Sequence, residues 1–202
     1  MNFSSIKNII FDLGGVIINI DIDRTFRAFA QLTGLSFELV KERFINARIF
    51  ERYEVGELSD SEFRHLINQT LGTTLEDEQI DEAWNTLLLD IPAERVRLIQ
   101  QLRKKYKVFL LSNTNRIHID GVNKILFEST GVPKLENLFD KIYYSWKIRL
   151  SKPSVTSYYE VLRDSSLKGE ESLFLDDNVE NIEGARLAGL HTLHVKPPLT
   201  II

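Results

Sequence analysis

The sequence predicts an α/β fold: a parallel sheet covered on both faces by helices, with a purely helical segment inserted after the first strand. Three observations predict it. Five short segments rich in branched and aromatic residues read as strands. Helical patterns separate most of them, as parallel neighbours require. The long gap between the first two strands carries helical periodicity and no convincing strand.

The first strand is expected over Ile6–Leu13, where Ile9, Ile10 and Phe11 form an apolar run typical of a strand buried on both faces. Asp12 ends that run, and Gly14–Gly15 make a turn in which backbone can approach a ligand. Four helices are expected next, over Asp23–Leu32, Ser36–Phe50, Ser59–Leu71 and Leu75–Leu89. Their apolar residues recur three and four apart: Phe26, Phe29 and Ala30, then Leu39, Val40, Phe44 and Ile45, and finally Ile80, Ala83, Trp84, Leu87 and Leu88. Ser59 and Glu62 have capping-box spacing.

This pattern divides the chain into a core of residues 1–18 and 91–202 and a helical insert of residues 19–90. The insert leaves the core just after Asp12, so it is expected to lie over the ligand crevice as a lid.

Pro92 opens a helix over Ala93–Tyr106, which leads into a second strand at Lys107–Ser112. Between Asn113 and Asp140 the signals conflict: Ile125–Phe127 look helical, and Gly131-Val132-Pro133 looks like a loop. A third strand is expected at Lys141–Ser145, and Pro153 opens a helix over Ser154–Arg163. The fourth strand is Ser172–Asp176. Asn178 caps a helix over Val179–Ala188 that Gly189 ends, and His191–Val195 is the fifth strand.

Composition narrows the chemistry. A net charge of −4 over 202 residues gives no global basic field for nucleic acid or an anionic membrane. The basic run Arg103–Lys107 falls at a helix end, where it complements the dipole. With no cysteine, disulfides, thiolate zinc sites and a cysteine nucleophile are excluded, which suits a cytoplasmic protein. No signal-peptide pattern is expected at the N-terminus, and no apolar stretch is long enough to span a bilayer.

In a parallel sheet all carboxyl ends face one crevice, so groups scattered in sequence can meet there. The strand ends bring Asp12, Ser112 in LLSNTN, and Asp176 and Asp177 in LFLDDN, while Lys152 follows the third strand in LSKPS. Carboxylates crowded in a dry crevice repel one another, and a divalent cation relieves that; hard oxygen ligands suit Mg²⁺. Asp12 can attack as a nucleophile, and Ser112, Lys152 and free loop amides can hold an anionic group. That combination fits phosphoryl transfer.

These residues carry a resemblance. FDLGGVI, LLSNTN, SKP and FLDDNVENIEGA, in this order, resemble the four motifs of the haloacid dehalogenase-like (HAD) hydrolase superfamily. The resemblance spans nearly the whole chain and looks closest to the bacterial α-D-glucose-1-phosphate phosphatase branch. It implies a three-layer, Rossmann-like core with strand order 3-2-1-4-5 and a small helical cap. It further implies that Asp12 is a nucleophile forming an aspartyl-phosphate. Asp12, the Gly14 carbonyl and Asp177 would bind Mg²⁺ with Asp176 assisting, and Ser112, the Asn113 amide and Lys152 would hold the phosphoryl group. Asn181 would support the metal site from behind. The implied substrate is a small phosphorylated metabolite, with a sugar phosphate such as a hexose 1-phosphate favoured.

One position departs from the pattern. Relatives usually carry a second aspartate two residues after the nucleophile as general acid and base; here that residue is Gly14. An anomeric leaving group would lose less by this, or the proton comes from water or from a side chain of the insert, where Asp21, Asp23, Arg48, Glu51 and Glu54 lie near the expected mouth. His118 is expected near the crevice. Two other readings compete: a metal-independent haloacid dehalogenase, against which the paired Asp176–Asp177 counts, and a non-catalytic phosphometabolite-binding protein.

Overall fold

The computed structural model describes residues 5–196 and residue 201. The outermost residues of the predicted core segments, 1–4, 197–200 and 202, lie outside the described residues. Five parallel strands form one sheet: β1 (Asn8–Phe11), β2 (Lys107–Ser112), β3 (Lys141–Tyr144), β4 (Ser172–Asp176) and β5 (His191–His194). Their order is β3-β2-β1-β4-β5, as expected. Alternation along β1 explains its apolar run, Ile9–Phe11. Ile9 and Phe11 pack on one face against Val96 and Ile99 of α6 (Ala93–Leu102) and Val122 and Leu126 of α7 (Arg116–Thr130). Ile10 packs on the other face, with Tyr158 and Val161 of α9 (Val155–Asp164) and Ile182 and Ala185 of α10 (Val179–Leu187). A short helix, α8 (Ser145–Ile148), follows β3 directly.

Helix α7 resolves the ambiguous stretch after β2. Asn115 caps it by accepting a hydrogen bond from the His118 amide, and Gly131 ends it in the left-handed conformation at φ 74°.

Residues 19–90 hold five helices rather than the four expected: α1 (Ile22–Thr33), α2 (Phe37–Asn46), α3 (Ile49–Glu54), α4 (Asp60–Leu71) and α5 (Asp77–Asn85). The predicted Ser36–Phe50 helix breaks at Arg48, which sits at φ 50°. A continuous helix would turn Tyr53 about 180° away from Phe44; the break lets Phe44, Ile49 and Tyr53 all enter one core. That core also holds Phe26, Phe29, Phe63, Ile67 and Trp84, and it reaches the rest of the molecule through Ile117 of α7. Ile45, expected on the apolar face, is exposed, since α2 buries Val40 and Phe44.

The last predicted helix of the insert also stops early. Past α5 the chain pairs antiparallel with the entering segment: the Asp21 amide donates to the Leu87 carbonyl at 2.9 Å, and the Leu89 amide to the Asn19 carbonyl at 3.0 Å. No described helix is long and apolar enough to cross a membrane.

Candidate active site

Register builds the site. Phe11 lies opposite Leu175 in the parallel β1–β4 ladder, so the next residues on each strand, Asp12 and Asp176, emerge side by side. The Asp12 amide continues the ladder with a 2.9 Å bond to the Leu175 carbonyl. Lys152, delivered by the loop between α8 and α9, reaches both acids. Its Nζ donates to Asp12 Oδ1 at 2.5 Å and to Asp176 Oδ2 at 2.7 Å. Asp176 is further fixed by the Asn178 amide at 2.8 Å and by Asn181 Nδ2 at 3.0 Å from each of its oxygens. Five hydrogen bonds from three donor groups thus converge on the pair, which makes burial of these charges tolerable.

Asp177 follows on the exposed side, and carboxylate oxygens of Asp12, Asp176 and Asp177 lie within 4.8 Å of one another. Gly15 makes room for this: at φ 71°, a Cβ there would sit 2.1 Å from Asp177 Oδ2. Electrostatics report the crowding. Burial pushes the Asp12 carboxyl up to about 7; Lys152 opposes that shift and Asp176 adds to it. Burial also raises Asp177, again reinforced by Asp176. Burial alone would lower the Lys152 ammonium, but the two acids outweigh it and hold its pKa above the ordinary lysine value. Three carboxylates share one ammonium, and that donor set of hard oxygens fits a divalent cation such as Mg²⁺.

Ser112 ends β2 and is buried. The Asn113 side chain does something the sequence did not announce. Its Nδ2 donates to the Lys152 carbonyl and its Oδ1 accepts from the Lys152 amide, both at 2.9 Å. This reciprocal pair ties the β2 tip to the lysine loop. Side-chain-to-backbone pairing across 39 residues has no local sequence signature.

Beside the acids lies a cavity of about 100 Å³ lined by Leu13, Gly14, Glu54, Ser112, Asn113 and His118, among others. His118 is locked there: Nδ1 lies 3.0 Å from Asn85 Oδ1 and its ring stacks on Trp84 at 4.8 Å. Burial pushes the imidazole down to about 3, so it is neutral at ordinary pH.

The expected proton donors of the insert separate. The Asp21 side chain caps α1 by accepting from the Asp23 amide. Asp23 pairs with Lys41 at 3.1 Å, and Arg48 with Glu51 on the surface at 3.0 Å. Glu54 alone among the five lines the cavity.

With this geometry the chain belongs to the haloacid dehalogenase-like hydrolases, whose family pattern matches residues 6–189. Among its relatives is the D-ribitol-5-phosphate phosphatase of Bacteroides thetaiotaomicron, 34% identical over 187 residues, which cover 93% of this chain and 90% of the relative. A HAD-family enzyme from the same organism, solved in complex with magnesium and inorganic phosphate, superposes with a TM-score of 0.87 at 36% identity over 96% of each chain. A HAD-like hydrolase from Porphyromonas gingivalis gives a TM-score of 0.85 at 33% identity, covering 95% of this chain and 91% of that one.

Proposed function

We propose that this chain is a Mg²⁺-dependent phosphatase of a small phosphorylated sugar or sugar alcohol, with residues 19–90 acting as a cap over a core of residues 1–18 and 91–202. The observation that carries this reading is the buried cluster of Asp12, Lys152 and Asp176 with Asp177 beside it. Lys152 fixes Asp12 through Oδ1, so the carboxylate presents a constant face to an incoming phosphorus. Asp12 attacks and carries the phosphoryl group; Ser112 Oγ and the Asn113 amide donate to its oxygens. Asp12, the Gly14 carbonyl and Asp177 would hold Mg²⁺, with Asp176 assisting. Bound there, the ion offsets the charge of the acids and of the phosphoryl oxygens. A metal-free dehalogenase has no use for so large an excess of carboxylates.

Similarity to a D-ribitol-5-phosphate phosphatase supports a polyol or sugar phosphate, a class that includes the hexose 1-phosphates. The 100 Å³ cavity is well below the roughly 300–1,000 Å³ of small-molecule sites, so the cap moves to admit such a substrate.

The test is phosphate release from D-ribitol 5-phosphate, α-D-glucose 1-phosphate, a nucleoside monophosphate and p-nitrophenyl phosphate, with Mg²⁺ and with a chelator. Release should require Mg²⁺ and favour the sugar and polyol esters over the nucleotide by at least about tenfold in kcat/KM. Mg²⁺ at about 100 times its Kd should also stabilise the fold by about 2.7 kcal/mol. Turnover indifferent to the chelator, or none on any ester, overturns the reading.

A further inference from the structure

We propose that Glu54 carries the proton for both halves of this reaction, from the cap side of the cavity, in place of the side chain that Gly14 lacks. The inference rests on the phosphatase reading above. Expelling a sugar or polyol oxygen as an alkoxide is slow, and a positioned acid is typically worth about 10²–10⁴ in rate. Position 14 cannot supply it, and the adjoining space is taken: a Cβ there would lie 3.0 Å from Ile20 Cδ1.

The titratable side chains lining the cavity are Glu54 and His118. His118 is spent on Asn85 and Trp84 and is held neutral, so it has no acidic proton to give. Lys152 is engaged with both Asp12 and Asp176, and Asp176 is held by Lys152, the Asn178 amide and Asn181. Glu54 differs from all of these. Half-buried, it has no hydrogen-bond or ion-pair partner among the described residues, while its neighbour Glu51 is exposed and bound to Arg48.

Its place is fixed from both sides. Glu54 is the last residue of α3, directly after the buried Tyr53, whose ring stacks on Phe63 at 4.1 Å and whose hydroxyl donates to Asp60 at 2.7 Å. Two residues later Gly56, at φ 72°, lets the turn press on α8 so closely that a Cβ would be 2.5 Å from the Trp146 carbonyl oxygen. This seats the end of α3 on the core. The charged groups that act on Glu54 are Lys152, Asp12 and Glu51. Burial, the largest influence, pushes its carboxyl up to about 7, Lys152 draws it down, and the two acids raise it further. Near neutral pH it can therefore both give and take a proton.

In the first half, an Asp12 oxygen bonds to phosphorus, the bond from phosphorus to the sugar oxygen breaks, and that oxygen takes the Glu54 proton. The products are the free alcohol, the aspartyl-phosphate and a Glu54 carboxylate. In the second half, that carboxylate takes a proton from water as the water oxygen bonds to phosphorus. The Asp12–phosphorus bond breaks, inorganic phosphate leaves, and both side chains return to their starting states.

Glu54→Gln tests this with Mg²⁺ present, using p-nitrophenyl phosphate and the best alkyl ester of the panel. The variant should lose about 10²–10⁴ in kcat/KM on the alkyl ester. On the aryl ester, whose leaving group needs no proton, kcat/KM should fall by less than about threefold. A burst of nitrophenolate equal to the enzyme concentration should precede slow turnover, and acid-quenched protein should carry one phosphoryl group. Equal losses on both esters without a burst, or unchanged turnover of both, overturn the role of Glu54 while leaving the phosphatase reading intact. A wild-type enzyme inert on every ester removes both. Should Glu54→Gln not fold, Glu54→Ala decides: added formate should restore alkyl-ester turnover, and absence of rescue overturns the proposal.

Discussion

The tips of the strands and the interior of the insert are both buried, but they bury different things. At the strand tips the structure hides charge, Asp12, Asp176 and Lys152, and satisfies it with converging donors. In residues 19–90 the buried side chains are apolar or aromatic, and Thr25 is the single buried polar exception. Burying charge costs stability and is retained where reactivity depends on it. Burying rings such as Trp84 against Phe50, at 4.5 Å, and Phe63, at 4.7 Å, contributes stability and shape. Substitution should therefore separate activity from stability according to which region it strikes.

The sharpest break is Asp12→Asn. Phosphate release should fall to background, while the unfolding free energy in urea stays within about 1 kcal/mol of wild type, because Lys152 keeps Asp176 as its partner. Loss of both together would erase the contrast. Next comes Trp84→Ala in the insert, where removal of a fully buried ring should cost about 3–5 kcal/mol in urea unfolding. A cost under about 1 kcal/mol would mean the aromatic core is not what holds the insert.

The subtlest test sits on the boundary, at His118. Its folded pKa is depressed to about 3. Its contribution is therefore complete above the unfolded value of about 6.5 and is lost as pH falls through the window between the two. Asp12 and Glu54, both raised to about 7, work with the opposite sign: their stability is lost as pH rises from the ordinary carboxylate range towards 7. The clean readout is thus the difference in unfolding free energy between wild type and His118→Gln, which should shrink by roughly 2 kcal/mol between pH 7 and pH 5. A constant difference would show that the ring titrates freely.

The strand tips were legible in the sequence because residue type and strand position agree there. An acid after Ile9-Ile10-Phe11, or a pair of acids after Leu173-Phe174-Leu175, is costly unless a site uses it. Helix α7 was also there to be read, in the cap at Asn115 and the stop at Gly131, but only Ile125–Phe127 read as helical before the loop-like Gly131-Val132-Pro133. The break at Arg48 left no local trace. It follows from the need to bury Phe44 and Tyr53 together, a tertiary demand that overrides helical periodicity. Glu54 was one of five plausible residues for the same reason: only the packing of α3 against α8 decides which of them reaches the cavity.

The exchange between Asn113 and Lys152 has a consequence for anyone redesigning this pocket. The amide grips the lysine by its peptide group, so the anchor and the ammonium are separate parts of one residue. Replacing the cationic head leaves the tether in place, and the loop will present whatever side chain is installed there at the same spot above the sheet. Exchanging Asn113 does the reverse: it preserves the charge and sets its mooring adrift.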